Sequence, residues 1–259
     1  MHDRTLTDAF SRQAEGFNRS PVANAESLLE EIIGLARPGP DERWLEAACG
    51  PGIISRRLAP LVSEVHGVDA TPAMIQVAER EARREHLSNL SFQLGDATRL
   101  AAEPASYDGF IARFALHHIP VPARLFEEAF RVVRPGGRVV MIDHLADADG
   151  DSFAWSQEVE RLRDPSHWAT LSLEQARRLG RSAGLAPEGQ LVTPMDMDFD
   201  DWLTRGASDP QAAALVRGLV NARPAGTECF RLREVAGRRA LQLQIWIAAW
   251  HRPDAGALS

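Results

Sequence analysis

One stretch constrains this chain more than any other: Trp44-Leu45-Glu46-Ala47-Ala48-Cys49-Gly50-Pro51-Gly52-Ile53-Ile54. Apolar residues run up to Gly50, and an apolar periodic segment (Ile53, Ile54, Leu58, Leu61) follows Gly52. That pattern predicts a buried strand, a glycine turn and a helix in immediate succession. Gly50 and Gly52 can take backbone angles closed to other residues and, lacking a Cβ, let a ligand approach the main chain. The helix start beyond them offers N–H groups with no partner inside the helix. Such a turn is a ligand cradle.

Two cofactor classes use a cradle of this kind, and the spacing separates them. A dinucleotide fingerprint is G-x-G-x-x-G, whereas here Gly50-x-Gly52-x-x-Ser55 lacks the third glycine. Glu46 stands at the strand's end, where its carboxylate would repel a pyrophosphate and attract an ammonium group. An amino-acid-bearing cofactor suits it. At Glu46-Ala47-Ala48-Cys49-Gly50-Pro51-Gly52 the sequence resembles the first motif, acidic-x-Gly-x-Gly-x-Gly, of the class I S-adenosylmethionine-dependent methyltransferases, with Glu for the commoner Asp and Ala48 for the first Gly.

That resemblance implies S-adenosyl-L-methionine as cofactor and a doubly wound α/β fold, a seven-stranded Rossmann-like sheet. Downstream segments fit it. Glu64-Val65-His66-Gly67-Val68-Asp69 reads as a second strand ending in an acid, and Thr71-Pro72 opens a helix carrying Met74, Ile75, Val77 and Ala78, with Thr71 placed to cap it. A carboxylate at the tip of the second parallel strand can accept both hydroxyls of a ribose. Asp69 is that carboxylate; its loss should empty the site and spare the fold. By resemblance Met74 lies near the adenine. Leu90 to Leu94 is the third strand, and Gly95-Asp96-Ala97 after it supplies Asp96 for the exocyclic amine and the Ala97 backbone for a ring nitrogen. Glu46, Ala48, Cys49, Gly50, Gly52, Asp69, Ala70, Met74, Asp96, Ala97 and Arg113 make up the expected cofactor set.

Tyr107 to Phe114 reads as the fourth strand, with Ala115-Leu116-His117-His118-Ile119-Pro120 at its carboxyl end. Ligands of open α/β sheets bind outside those carboxyl ends, so Arg113 to His118 should flank the methyl group, with Phe114 toward the substrate. An imidazole there either accepts a substrate proton or shapes the pocket, and His118 is favoured over His117 as the base. A helix over 121–133, an Arg134-Pro135-Gly136-Gly137 turn and a fifth strand from Arg138 to His144 follow, typical of the resembled family. His144, at the same rim, is a third candidate.

Before the first strand, 3–19 and 22–36 read as two helices broken at Ser20-Pro21. In the resembled family the N-terminal segment folds over the cofactor, and Phe10 to Phe17 is similar to its aromatic pattern, with Phe17 where a tyrosine is usual. Cover for the ligands and plain packing are both open for Phe10 and Phe17. From Asp151 the resemblance narrows to the ubiquinone/menaquinone-biosynthesis-like (type 11) branch: Arg163-Asp164-Pro165-Ser166-His167, then Leu173, Leu179 and Gly184-Leu185, resembles its helical insertion, helix and sixth strand. His167 and Trp168 lie on that insertion, which by resemblance covers the substrate; Trp155, Trp168 and Trp202 either wall an apolar or aromatic substrate or simply pack, packing being favoured. Helices near Phe199–Leu203 and Ala213–Leu219 and a final antiparallel strand over Leu241–Trp250 complete the reading. The expected layout is one methyltransferase domain over 1–259: a helical lid at 1–40, the cofactor-binding core at 41–145, and substrate-covering helices and last strands at 146–259.

Composition removes function classes. All 29 basic residues are arginine, which excludes a Walker lysine, a pyridoxal-phosphate Schiff base and a lysine nucleophile. A net charge of −7 gives no reason to expect a nucleic-acid partner. No run of about 18 apolar residues or apolar N-terminal leader is visible, so no membrane partner and a cytoplasmic location are expected. Cys49 and Cys229 make no framework and read as free thiols, and no His, Asp and Glu set shows metal spacing, so metal independence is expected. The expected activity is methylation of a small aromatic or quinone-like metabolite at carbon, oxygen or nitrogen by a monomer or homodimer. The rival is a catalytically silent nucleoside-binding module acting through partners.

Overall fold

The computed structural model describes residues 2–206, 209–225, 227, 228, 230–235 and 237–254; Cys229 and the tail 255–259 lie outside the described residues. One sheet organises them. Its parallel half comprises β1 (Arg43–Ala47), β2 (Glu64–Asp69), β3 (Leu90–Leu94), β4 (Tyr107–Arg113) and β5 (Val133–His144). β6 (Ala186–Asp198), β7 (Arg231–Val235) and β8 (Arg238–His251) add antiparallel pairings at the other end. The order is β3-β2-β1-β4-β5-β8-β6, with β7 on β8.

The sheet therefore has eight strands rather than the expected seven. β8 extends three residues before the expected Leu241, and its first half pairs with β7. The sequence carried a hairpin signal there, Ala236-Gly237 between two strand-like runs.

β1 is buried on both faces, as a central parallel strand should be. Trp44 packs toward α2 (Glu26–Ala36), α3 (Ile53–Leu58), α8 (Phe199–Gly206) and α9 (Pro210–Asn221), while Leu45 packs toward α5 (Ala123–Val132) and α7 (Leu173–Ser182). A Cβ on Gly109, the β4 residue beside Trp44, would lie 2.2 Å from the indole, so this glycine makes room for the ring.

Of the two N-terminal helices expected over the cofactor, only α1 (His2–Arg19) packs as a cover. Its Ala14, Phe10 and Phe17 meet Met74 and Val77 of α4 (Pro72–Arg84), and Glu15 pairs with Arg80 at 2.6 Å. α2 buries Leu28, Leu29, Ile32 and Ala36 against the core, and it starts at Glu26 because residues 21–24 form a turn. Arg134 to Gly137 is drawn into β5 as an irregularity rather than standing as a separate turn: Val133 pairs with Tyr107, and Arg138 with Gly109. Gly136, at φ +75°, donates its N–H to the Arg252 carbonyl at 2.7 Å, which ties the segment to the sheet's end. α6 (Gly150–Arg163) lies beside the carboxyl end of β5, with Ser156, Gln157 and Glu160 near His144 and Leu145 and Arg163 on the cavity.

Strand order reverses between β1 and β4, and the crevice outside their carboxyl ends is where open α/β sheets bind ligands. A cavity of about 500 Å³ opens there, lined in part by α1 and α8.

Candidate functional site

The turn after β1 is built from three left-handed residues: Ala48 at φ +52°, Gly50 at +52° and Gly52 at +75°. Ala48 therefore holds a conformation costing a residue with a Cβ about 1 kcal/mol, where the resembled motif has glycine. At Gly50 a Cβ would enter the cavity, its nearest neighbour being Met74 Sδ at 3.9 Å. Gly52 differs. Its Cβ would press on Phe92 Cζ at 3.0 Å and Ala78 at 3.1 Å, so Gly52 serves helix–sheet packing and does not line the cavity, against expectation. Cys49 lines the cavity but is buried, which pushes its thiol well up and leaves it protonated at neutral pH.

Glu46, at 2% exposure, accepts from the Ser55 N–H at 2.7 Å and from the Ser55 hydroxyl through the same oxygen. One N–H of the α3 start is thus already engaged. Burial pushes the Glu46 carboxyl up to about 7, opposed by the Ser55 bonds and by Arg113. Arg113 is the complementary case. Its guanidinium donates to the Ala23 carbonyl at 2.8 Å and lies 5.3 Å from the Phe114 ring centroid, and burial lowers it to about 10. No ion pair among the described residues includes Arg113.

Asp69 accepts the Gly50 N–H and the Thr71 N–H, both at 2.8 Å, so it clamps the two turns together. The cap expected from the Thr71 side chain does not form; the Met74 N–H that it would accept donates to the Thr71 carbonyl at 3.0 Å instead. Burial raises the Asp69 carboxyl, and these two amides oppose it. Asp96 binds the Thr98 N–H and hydroxyl at 2.8 Å each, and lines the cavity with Ala97, Ala70 and Met74.

In the loop after β4, His117 forms a dyad with Asp143. Its Nδ1 lies 2.5 Å from Asp143 Oδ1, and its backbone N–H donates to Oδ2 at 3.0 Å. The His144 N–H donates to Oδ1 as well, at 2.7 Å. Three donors hold Asp143 as the charged member against the burial that raises it. A carboxylate only accepts, so the bond assigns the proton to Nδ1 and the lone pair to Nε2, which has no protein partner among the described residues. Burial, with His118, His144 and His167 adding to it, lowers His117 well below the usual imidazole range. It is a neutral base at pH 7.

The other histidines divide. His118 lines the cavity with its Nδ1 beside the Ser166 carbonyl at 3.2 Å and hydroxyl at 3.1 Å, and its ring meets Phe10 edge-on at 4.9 Å. His144 stacks on His117 at 4.8 Å. His167 does not line the cavity; its Nε2 is bonded to Gln157 at 3.0 Å. The dyad thus favours His117 over His118 as the base.

Metal spacing invisible in the sequence is brought together by the fold: His117, Asp143 and His144 offer donor atoms within 4.8 Å of one another. The Asp143 oxygens accept N–H groups from His117 and His144, which orders the set around that carboxylate.

Phe17, Phe114 and Trp202 line the cavity, but Trp155 packs edge-on against Phe230 at 5.5 Å and Trp168 is 48% exposed. The Trp168 N–H is tied to the His117 carbonyl at 2.7 Å, outside the cavity lining. Sequence reasoning missed Asp143, Arg163, Arg205, Met195 and Met197, all placed at the site from distant elements. Asp143 alone carried a signal, an acid at the carboxyl end of a parallel strand.

A methyltransferase-domain family profile matches residues 45–141. The uncharacterised methyltransferase YcgJ of Bacillus subtilis is 30% identical over 199 residues, 77% of this chain and 79% of that protein. Its crystal structure superposes with a TM-score of 0.81 at 26% identity, covering 88% of this chain and 98% of that one. Malonyl-[acyl-carrier protein] O-methyltransferase of Serratia marcescens is 29% identical over 210 residues, 79% of this chain and 76% of that protein. The ubiquinone/menaquinone biosynthesis C-methyltransferase UbiE of Zymomonas mobilis is 28% identical over 135 residues, 51% of this chain and 56% of that protein.

Proposed function

The chain belongs to the class I S-adenosylmethionine-dependent methyltransferases, and from that premise we propose that it methylates a small aromatic or quinone-like metabolite whose reacting atom bears a proton at neutral pH. The Asp143–His117 dyad, with His117 lining the cavity, carries this reading. Its aromatic and thioether walls, Phe17, Phe114, Met195, Met197 and Trp202, suit a planar apolar body.

The residues fit the cofactor. Gly50 leaves open space where any side chain would intrude, and Glu46 and Arg113 offer opposite charges to an amino-acid zwitterion. Asp69 suits the ribose, and Asp96 with Ala97 suits the adenine edge. Bound there, S-adenosylmethionine supplies a sulfonium methyl already activated for transfer. The protein's work is then alignment and exclusion of water: α1 lines the cavity, and His117 Nε2 takes the substrate's proton while Asp143 holds the ring.

Glu46 gives a test of cofactor placement that needs no substrate. Burial pushes its carboxyl up to about 7, so it titrates near neutral pH. An ammonium beside it lowers that pKa, so S-adenosylhomocysteine binding near pH 7 should release protons and tighten as pH rises through 7. Calorimetry in buffers of different ionisation heat reads this directly. Proton uptake, or none moved, would remove Glu46 as the ammonium's partner. The substrate itself is tested by incubating the protein with methyl-labelled cofactor and small-molecule extract from its host. A labelled aromatic or quinone-like product is expected by mass spectrometry; a labelled aliphatic one would overturn that substrate class.

A further inference from the structure

We propose that the substrate carries an anionic group, a carboxylate or phosphate, bound by Arg163 and Arg205 beside the aromatic wall; this rests on the methyltransferase reading above. The two guanidiniums come from the ends of separate helices, α6 and α8, and both line the cavity. Arg163 gives Nε to Glu160 at 2.8 Å and pairs with it through Nη2 at 2.8 Å, while Nη1 meets no acceptor among the described residues. Arg205 donates Nη1 to the Ser20 hydroxyl at 3.3 Å and pairs with Asp201 at 3.0 Å. Its Nη2 meets no acceptor among the described residues, and Nε is too poorly aligned to hydrogen-bond Asp201.

The surroundings are made for these groups. A Cβ on Gly206 would lie 2.4 Å from Arg163 Nη1, so the glycine next to Arg205 makes room for the other guanidinium. Arg163 stacks 4.8 Å over the Trp202 ring, and Arg205 lies 6.0 Å from the Phe17 ring centroid. The buried indole N–H of Trp202 also has no acceptor in the protein. Burial lowers the Arg205 guanidinium, and the neighbouring Arg163 charge adds to that.

Two like charges with unused N–H groups, brought together in one cavity, are stabilised by an anion accepting from both. Asp201 does not supply it, because its side chain is 47% exposed and its charge is screened by water. Glu160 bonds the other edge of Arg163. The aromatic neighbours fix the rest of the ligand: a planar acid can lie along Phe17 and Trp202 with its charged end on the arginines.

The same anion chemistry could come from the α-carboxylate of the cofactor, and the test separates the two sources. Protein loaded with S-adenosylhomocysteine is titrated calorimetrically with 4-hydroxybenzoate, phenyl phosphate and the neutral 4-hydroxybenzyl alcohol. At least one acid should bind about tenfold or more tightly than the alcohol, as hydrogen bonds to a charged group imply. Arg205→Met should erase that preference, Arg205→Lys should keep part of it, and both should retain S-adenosylhomocysteine affinity within about twofold. No acid binding, no preference for acid, or a preference surviving Arg205→Met would overturn the proposal. So would a tenfold loss of S-adenosylhomocysteine affinity in Arg205→Met, which would give the arginines to the cofactor. If the wild-type protein fails to bind S-adenosylhomocysteine, the cofactor-site reading fails instead.

Discussion

Asp69→Ala is expected to weaken S-adenosylhomocysteine binding by about a hundredfold or more and, at the same time, to lower stability. The binding loss follows from two charge-assisted hydrogen bonds to the ribose, together about 3 kcal/mol. The stability loss follows from the structure alone: the Gly50 and Thr71 amides both give their N–H to this carboxylate at 2.8 Å. Leaving buried donors without an acceptor costs about 1–3 kcal/mol. The sequence alone expects the fold to be spared; the clamp shows why it will not be. Asp69→Asn keeps the volume and one accepting oxygen, so it should recover part of the stability while binding stays weak. Titration calorimetry and urea unfolding read the two effects separately. Wild-type affinity in Asp69→Ala would place the ribose elsewhere.

What the sequence made legible was local. The strand, turn and helix around Gly50 follow from glycine placement and apolar runs, and β2 and β3 keep their expected bounds of Glu64–Asp69 and Leu90–Leu94. These elements answer to periods of a few residues, which one chain displays openly. The site's chemistry is non-local. Asp143 meets His117 across 26 positions, from the next strand of the sheet. Nothing near either residue announces the pair, so two adjacent histidines looked alike and His118 was favoured. Arg163 and Arg205 were hidden for a different reason. In a chain whose 29 basic residues are all arginine, no single arginine stands out until the fold gathers two around one cavity. Gly52 shows the converse: its motif position pointed to the ligand, and Phe92 behind it assigns it to packing.

With the substrate identified by labelling, His117→Ala should lower turnover about a hundredfold or more, as loss of a general base does. Cofactor affinity should hardly move, because the ring is bonded to Asp143, while Glu46, Asp69 and Asp96 are held by other partners. Asp143→Asn is the sharper test. The amide must present its NH2 either to His117 Nδ1, which drives the imidazole toward the tautomer with its proton on Nε2, or to the His117 backbone N–H, which loses its acceptor. In the first case the base's lone pair no longer faces the substrate; in the second the loop carrying the ring is displaced. Turnover should fall about a hundredfold or more in either case, across the whole pH range rather than by moving along it. In the wild-type protein burial keeps His117 well below the usual imidazole range, so the base stays neutral and active as pH falls through 6.5, and activity is lost only at the lower pH where it takes up a proton. His118→Ala should cost less than about tenfold, since its Nδ1 lies beside the Ser166 carbonyl and hydroxyl where that of His117 meets the Asp143 carboxylate directly. A deep loss in His118→Ala beside near-normal turnover in His117→Ala would return the base to His118 and leave the dyad a structural bond that fixes the β4–β5 rim.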